Sequence, residues 1–285
     1  MIRIPLTDLG AAEYRGFTGG LYPSGQNLRP ATYEKTGVAI GATVQPVNGD
    51  GKASTSGRIV MLSIGMSNAS REFLQFTRLA DTDARRNPNL VMIDAARNGA
   101  AATDIALPFG DYWKHVDSQL QRCDVSAAQV QVVWLKAALA HEPHGFPEKA
   151  RLLQRALRSI VGILSTKFPQ LKLVYVSSRI YGGYSETDLS SEPIAYESGF
   201  AVKWLIEERI NNPNHDRSMP WVSWGPYLWA DGLTPRSDGL IWERSDFEQD
   251  GVHPSAQGVL KVATILLEFF QNEITARRWF FSPTV

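Results

Sequence analysis

The sequence predicts a three-layer α/β/α fold around a parallel, five-stranded sheet. Three observations predict it. Short apolar runs recur along the chain: "RIVMLSI" (58–64), "NLVMID" (89–94), "VQVVWL" (130–135), "LKLVYVSS" (171–178) and "WVSW" (221–224). Runs that are apolar on both faces suit strands covered on both sides, as parallel strands are. Helix-like segments lie between these runs, and strands alternating with helices imply right-handed crossovers, with ligands at the carboxyl ends of the strands.

Residues 1–57 precede the first run and are rich in Gly, Pro, Thr and Asn ("GFTGGLYPSGQNLRP", "VNGDGKASTSG"). That composition favours turns over regular elements, so the segment reads as an irregular N-terminal arm packed on the main domain, 58–285. After the first strand, "NASREFLQFTRLA" carries helical spacing through Phe73, Phe76 and Leu79. After the third, Ala150, Leu153, Leu157, Ile160, Val161, Leu164 and Phe168 form one apolar helical face from Pro147 to the stop at Pro169. The same period marks Val259, Val262, Ala263, Leu266 and Phe270 in the last long helix. No internal repeat or low-complexity tract interrupts the pattern.

Composition narrows the function classes. The chain has 285 residues, 44% of them hydrophobic, which is enough to bury a large single core. Lys plus Arg equals Asp plus Glu at 29 each, and no basic stretch is interleaved with aromatics, so nucleic acid is not an expected partner. No apolar run approaches the ~20 residues that span a bilayer, and MIRIPLTDLG lacks a secretory apolar core; the expectation is a soluble protein, secreted or periplasmic only if a signal has been removed. The single cysteine, Cys123, excludes an intramolecular disulfide and reads as a small buried hydrophobe.

Two stretches carry candidate chemistry. In "SIGMSNAS", Ser67 falls at the carboxyl edge of a strand and the amino end of a helix, where free N–H groups and the helix dipole favour a nearby oxyanion. A plain helix cap is the competing reading, since Ser is a common N-cap residue. In "SDFEQDGVHPSAQG", Pro254 pushes His253 toward extended backbone, and Asp250 three residues earlier can turn back onto the imidazole. A carboxylate there would fix the tautomer whose free nitrogen takes a proton from a serine hydroxyl. The competing reading is an Asp-Gly turn with a surface histidine, since "DGL" recurs at Asp231 and Asp238 without a following His-Pro.

A serine after the first strand, a glycine after the second ("AARNGAAATDI"), and Asp-x-x-His before the last long helix together resemble the block order of the SGNH, or GDSL-like, hydrolase superfamily, from about Arg58 to Phe270. The resemblance implies a flavodoxin-like sheet and carboxylic ester hydrolysis with no cofactor and no metal. It implies Ser67 as nucleophile, Asp250 and His253 as the rest of the triad, and the Ser67 and Gly99 N–H groups as an oxyanion hole. Two positions depart from it: Met66 stands where the family has Asp, and "VVWLKAA" replaces Gly-x-Asn-Asp after the third strand. With that asparagine missing, Asn68 and Lys136 are candidate oxyanion or substrate-binding groups, Lys136 being equally readable as a snorkelling surface lysine.

Arg179, leaving the fourth strand, either binds a substrate carboxylate or pairs with an acidic neighbour. Trp221, Trp224, Tyr227, Trp229 and Trp242 crowd the approach to "DGVHPS" and either line a pocket, Trp229 included, or bury a long loop. His141 and His144 with Glu142 lack a third defined metal ligand. Because the superfamily includes many carbohydrate deacetylases, an acetylated sugar is the expected substrate. A lipid or short-chain acyl ester is the alternative, and a carbohydrate-binding protein with a decayed site is the alternative of another class.

Overall fold

Five strands, Ile59–Gly65 (β3), Leu90–Asp94 (β4), Val130–Lys136 (β5), Leu173–Val176 (β6) and Trp221–Trp224 (β7), form one parallel sheet in the order β4-β3-β5-β6-β7. The computed structural model describes residues 3–140, 143–187, 189, 191–212 and 219–282. Each strand coincides with one apolar run of the sequence.

The alternation of side chains across β3 separates two cores. Val60, Leu62 and Ile64 join one cluster and Ile59 and Met61 the other, which is why all seven residues of the strand are buried. Ser67–Asp81 (α3) and Ala256–Asn272 (α8) cover the second cluster through Phe73, Phe76, Val262, Leu266 and Phe270. Asp111–Arg122 (α5), Glu148–Lys167 (α6) and Ile194–Asn211 (α7) cover the first. The short helices Ala102–Ile105 (α4) and Arg277–Phe280 (α9) fill the ends of these layers. The layers are therefore helix, sheet, helix, as the periodicity predicts.

With β3 first in chain order, the sheet runs second, first, third, fourth, fifth. The chain leaves β3 toward one edge and later returns to the other side of it, so the switch point lies between β3 and β5. In a doubly wound sheet this is where the loops diverge and a crevice opens. Ser67 follows β3 after the single residue Met66, and Ala137 and Ala138 follow β5.

Residues 1–57 are more ordered than their composition suggests. They contain Leu6–Leu9 (α1), the strand pair Glu13–Tyr14 (β1) and Phe17–Thr18 (β2), and an 11-residue helix, Ala31–Gly41 (α2). Glycines that read as turn formers are in fact contact points. A Cβ on Gly37 would sit 2.4 Å from the Trp221 ring, and one on Gly41 would sit 2.3 Å from the Thr275 carbonyl oxygen. The segment also covers the β7 edge: the Trp224 indole donates to the Leu21 carbonyl at 2.7 Å, and Tyr22 Oη meets Ser223 Oγ at 3.0 Å. An edge strand left bare would offer unpaired backbone to other chains.

Cys123 departs from the expectation of burial. It caps the C-terminus of α5 and is exposed, because the chain turns there through Asp124 at φ 50° toward β5.

A pair of glycine substitutions tests the packing of α2. Gly37→Ala should cost about 1–3 kcal/mol through overpacking against Trp221, whereas Gly162→Ala, on α6 with nothing within 4 Å of the new methyl, should stabilise by about 0.5–1 kcal/mol. Urea unfolding of both variants reads the difference; equal effects would remove the close-approach explanation.

Candidate active site

Helix α3 begins immediately beyond β3, and its N-cap position is Met66, in extended backbone, with no side-chain cap. Ser67 is thus the first helical residue, and its hydroxyl does not cap the helix. Ser67 Oγ lies 2.9 Å from His253 Nε2 instead. The Ser67 N–H makes no hydrogen bond among the described residues and remains at the positive end of the helix dipole.

His253 is held by a tight turn. Asp250 Oδ2 contacts His253 Nδ1 at 2.6 Å, while Asp250 Oδ1 accepts the amides of Val252 and His253, both at 2.9 Å. The carboxylate is therefore aimed from both oxygens, one at the ring and one at the backbone that carries it. Gly251 makes the turn attainable: its φ is 65°, and a Cβ there would fall 1.8 Å from the Tyr184 carbonyl oxygen. Behind the turn, Ser255 caps α8 by accepting from the Gly258 amide at 3.3 Å.

Burial works to raise the Asp250 carboxyl, but the hydrogen bonds from the His253 ring and from the His253 and Val252 amides outweigh it and hold the group below the ordinary carboxylate value. Asp250 is consequently ionised at neutral pH. It favours the tautomer with the proton on Nδ1, leaving Nε2 as acceptor toward Ser67. Glu248 comes within 4.8 Å of Asp250 and His253, yet its Oε1 is occupied by Arg71 at 2.6 Å.

Two further contacts that sequence reasoning did not find fix the junction between β3 and α3. The first is Asp94, at the end of β4, which accepts hydroxyl protons from Ser63 on β3 and Ser70 on α3. The second is Tyr112 on α5, whose hydroxyl accepts the Gly65 amide at 2.9 Å, directly before the strand-to-helix junction. An Asp closing an apolar strand was a visible signal for the first; nothing in the local pattern singled out the second.

The other predicted residues fall in several places. Gly99 lies in the exposed loop after β4 at φ 75°, with its N–H making no hydrogen bond among the described residues. The loop is anchored by the Arg97 amide donating to the Gly65 carbonyl at 3.0 Å. Asn68 is buried and its amide donates to the Val252 carbonyl at 3.1 Å, so it ties α3 to the histidine turn.

Lys136 is corrected as a site cation. It is buried, and its Nζ is 2.6 Å from both carboxylate oxygens of Glu72, a fully buried residue of α3. Burial pushes Glu72 up and Lys136 down, each toward its neutral form, against the attraction between them. A charge neutralised in this way is not available to an oxyanion. Directly after β5 stand Ala137 and Ala138, both buried.

Trp229 is also corrected. It is fully buried and its indole donates to Glu192 Oε1 at 2.7 Å. Trp221, Trp224, Tyr227 and Trp242 are buried as well, each with its polar atom bonded to the Tyr33, Leu21, Leu6 or Leu228 backbone, respectively. These rings form core and hold the arm to the sheet. Arg179 is 7% exposed at the carboxyl end of β6, and desolvation lowers its guanidinium to about 10 against the attraction of Glu72 and Glu192. His141 and Glu142 lie outside the described residues.

No protein-family model matches the chain, and comparison with curated proteins finds no match. Among solved structures, it is similar to a carbohydrate esterase family 3 protein from Talaromyces cellulolyticus (16% identity, 76% of this chain and 98% of that one, TM-score 0.45). It is similar to a GDSL-like lipase from Bacteroides thetaiotaomicron (9%, 86% and 97%, TM-score 0.44). It is also similar to the periplasmic domain of a lipopolysaccharide acetyltransferase of Salmonella ser. Paratyphi A (14%, 85% and 95%, TM-score 0.42). At such identities and TM-scores these similarities carry no weight for function.

The buried pair yields a stability prediction. Lys136→Met alone strands Glu72 and should cost about 3–5 kcal/mol, while Lys136→Met with Glu72→Leu should recover most of that loss. Chemical denaturation of the single and double variants measures it, and a double variant no more stable than the single one would contradict the pairing.

Proposed function

We propose that the protein is a serine hydrolase that cleaves carboxylic esters through an acyl-enzyme. The observation that carries this reading is the continuous chain of contacts from Ser67 Oγ to His253 Nε2 at 2.9 Å and from His253 Nδ1 to Asp250 at 2.6 Å. A hydroxyl at a helix start, an acceptor nitrogen within reach of its proton and a carboxylate fixing the tautomer are what nucleophilic acyl transfer needs.

Ser67 Oγ attacks the ester carbonyl as its proton passes to His253 Nε2. The carbonyl oxygen becomes an oxyanion held by the Ser67 and Gly99 N–H groups, and Asp250 stabilises the imidazolium. Collapse breaks the bond to the alkoxide, which takes the proton from His253 and leaves as the alcohol. A water then gives its proton to His253 and attacks the acyl-serine; release of the acid returns the proton to Ser67.

The sequence after β5 lacks the asparagine of the resembled superfamily, and Asn68 is engaged with Val252. A missing oxyanion donor typically costs about 2.7–4 kcal/mol of transition-state stabilisation, so turnover slower than that of a fully equipped site is expected.

Within this class, the substrate we propose is an O-acetylated carbohydrate rather than a long-chain lipid ester. The hollow beside Gly99 is walled by Arg97, Asn98, Asp104 and Asp111 together with Ala100, Leu107 and Tyr112, a mixture of polar groups and apolar surface that suits a sugar, whose hydroxyls and ring face use both.

A serine-directed fluorophosphonate should form one adduct, located at Ser67 by mass spectrometry, and folded Ser67→Ala should lose about 10⁴-fold or more in kcat on aryl acetates. No adduct, or hydrolysis undiminished in the variant, defeats the assignment. On aryl esters of increasing length, kcat/KM should fall from acetate to octanoate; a rise would favour the lipid alternative.

A further inference from the structure

We infer that Asp94 is the positioning residue of the oxyanion hole: its carboxylate spaces the Ser67 and Gly99 N–H groups by tying together the two backbone segments that carry them. The inference rests on the esterase reading above and deepens it. Ser67 opens α3 and Gly99 lies in the loop after β4, so the two donors belong to separate elements whose spacing must be set by contacts.

On the helix side, Asp94 Oδ2 accepts the Ser70 hydroxyl. Ser70 belongs to the first turn of α3, and its amide donates at 3.1 Å to the carbonyl of Met66, the residue before Ser67. On the loop side, Asp94 Oδ1 accepts the Ser63 hydroxyl of β3 and, at 3.2 Å, the Ala96 amide. The fully buried Ser63 oxygen in turn accepts the amides of Ala95 at 3.1 Å and Ala96 at 3.3 Å. The Arg97 amide continues the series by donating to the Gly65 carbonyl at 3.0 Å. The Ala100 amide then closes back on the Arg97 carbonyl at 3.3 Å, with Gly99 at φ 75° inside that turn, the third position of a type II turn that favours glycine. Three successive amides ahead of the glycine turn are therefore fixed to β3 or to Asp94 itself, while the other carboxylate oxygen holds the helix that begins with Ser67.

Such a tie matters because an oxyanion hole works only when its donors stand about 2.7–3.1 Å from the place the oxyanion takes, and a misplacement of about 1 Å costs roughly 10²-fold. With no asparagine after β5, two backbone N–H groups share the developing charge, and their separation decides how well they hold it. The Asp94 side chain is not what sets the strand register, since the parallel β3–β4 ladder pairs Ile59 with Leu90 through to Ser63 with Asp94 by backbone alone. What the carboxylate adds is one oxygen on each donor segment.

The test compares 4-nitrophenyl acetate with O-4-nitrophenyl thionoacetate, whose carbonyl sulfur is a larger and weaker acceptor for the two N–H groups. Per site counted by fluorophosphonate labelling, the wild type should prefer the oxygen ester, and Asp94→Ala should lose about 10–100-fold in kcat on it while KM changes less than about threefold. The oxygen-to-sulfur rate ratio should fall by about tenfold, because donors out of place no longer favour oxygen. Asp94→Asn, which keeps the volume and one acceptor, should restore part of the ratio. Ser70→Ala, which removes only the helix-side hydroxyl, should show the same pattern on a smaller scale, and it decides the matter if Asp94→Ala does not fold.

Gly37→Ala, destabilised on α2, should keep the wild-type ratio; a matching fall there would reduce the effect of Asp94 to stability and overturn the inference. Label at Ser67 with an unchanged ratio in the folded Asp94 and Ser70 variants, or no oxygen preference in the wild type, overturns the positioning role and leaves the esterase reading standing. No label in the wild type ends both.

Discussion

A single buried amide couples the two halves of the candidate site. Asn68 Nδ2 donates to the Val252 carbonyl across 184 residues of sequence, joining the residue after Ser67 to the residue before His253. The hydroxyl and imidazole cannot shift independently while that bond holds, because each sits one residue from an end of it. Leaving the Val252 carbonyl buried and unpaired would cost about 1–3 kcal/mol, which makes the bond a registering device as well as a stabilising one. The sheet brings the elements near; this contact sets them to hydrogen-bond precision.

The supporting contacts work in the same direction. Asp94 receives hydroxyls from both β3 and α3, and Tyr112 holds the Gly65 amide at the junction between them. The strand-to-helix turn is thereby fixed from two flanking elements, while Gly65 permits close approach: a Cβ there would lie 2.1 Å from the Lys136 carbonyl oxygen of β5. Lys136 and Glu72 pair in the buried layer beside the junction, and Arg179 at the end of β6 has a buried Nε with no hydrogen-bond partner among the described residues.

Much of this arrangement was legible in the sequence, and the failures have physical causes. The strands were readable because strands buried on both faces cannot hide their composition. The Asp-x-x-His stretch was readable because its geometry is local, three residues closing on themselves around one glycine. Helix α2 was hidden because Gly37 and Gly41 serve contacts with Trp221 and Thr275 that belong to distant parts of the chain. Lys136 was misread for the same reason: its partner Glu72 lies 64 residues away, on a helix whose apolar period gives no sign of a buried acid. The aromatic cluster was ambiguous between pocket and core, and what decided it was the bare edge of β7, which Trp221 and Trp224 close against the N-terminal arm.

The histidine turn shows why so short a motif keeps its geometry when Asp250 is partly exposed. An aspartate that only touched an imidazole would be free to rotate toward water. Here its second oxygen takes the amides of Val252 and His253, so rotation would break two bonds to the same backbone that carries the ring. The Glu248 amide in turn donates to the His253 carbonyl at 2.8 Å, and the Ser255 amide to the Asp246 carbonyl at 2.9 Å, closing the loop on both sides. Asp246 is fully buried with Lys261 of α8 as its ion partner, so the anchor of the turn is the helix that follows it. Rigidity at the base thus comes from satisfied backbone rather than from burial, and the imidazole stays partly open to solvent, where a substrate could reach it.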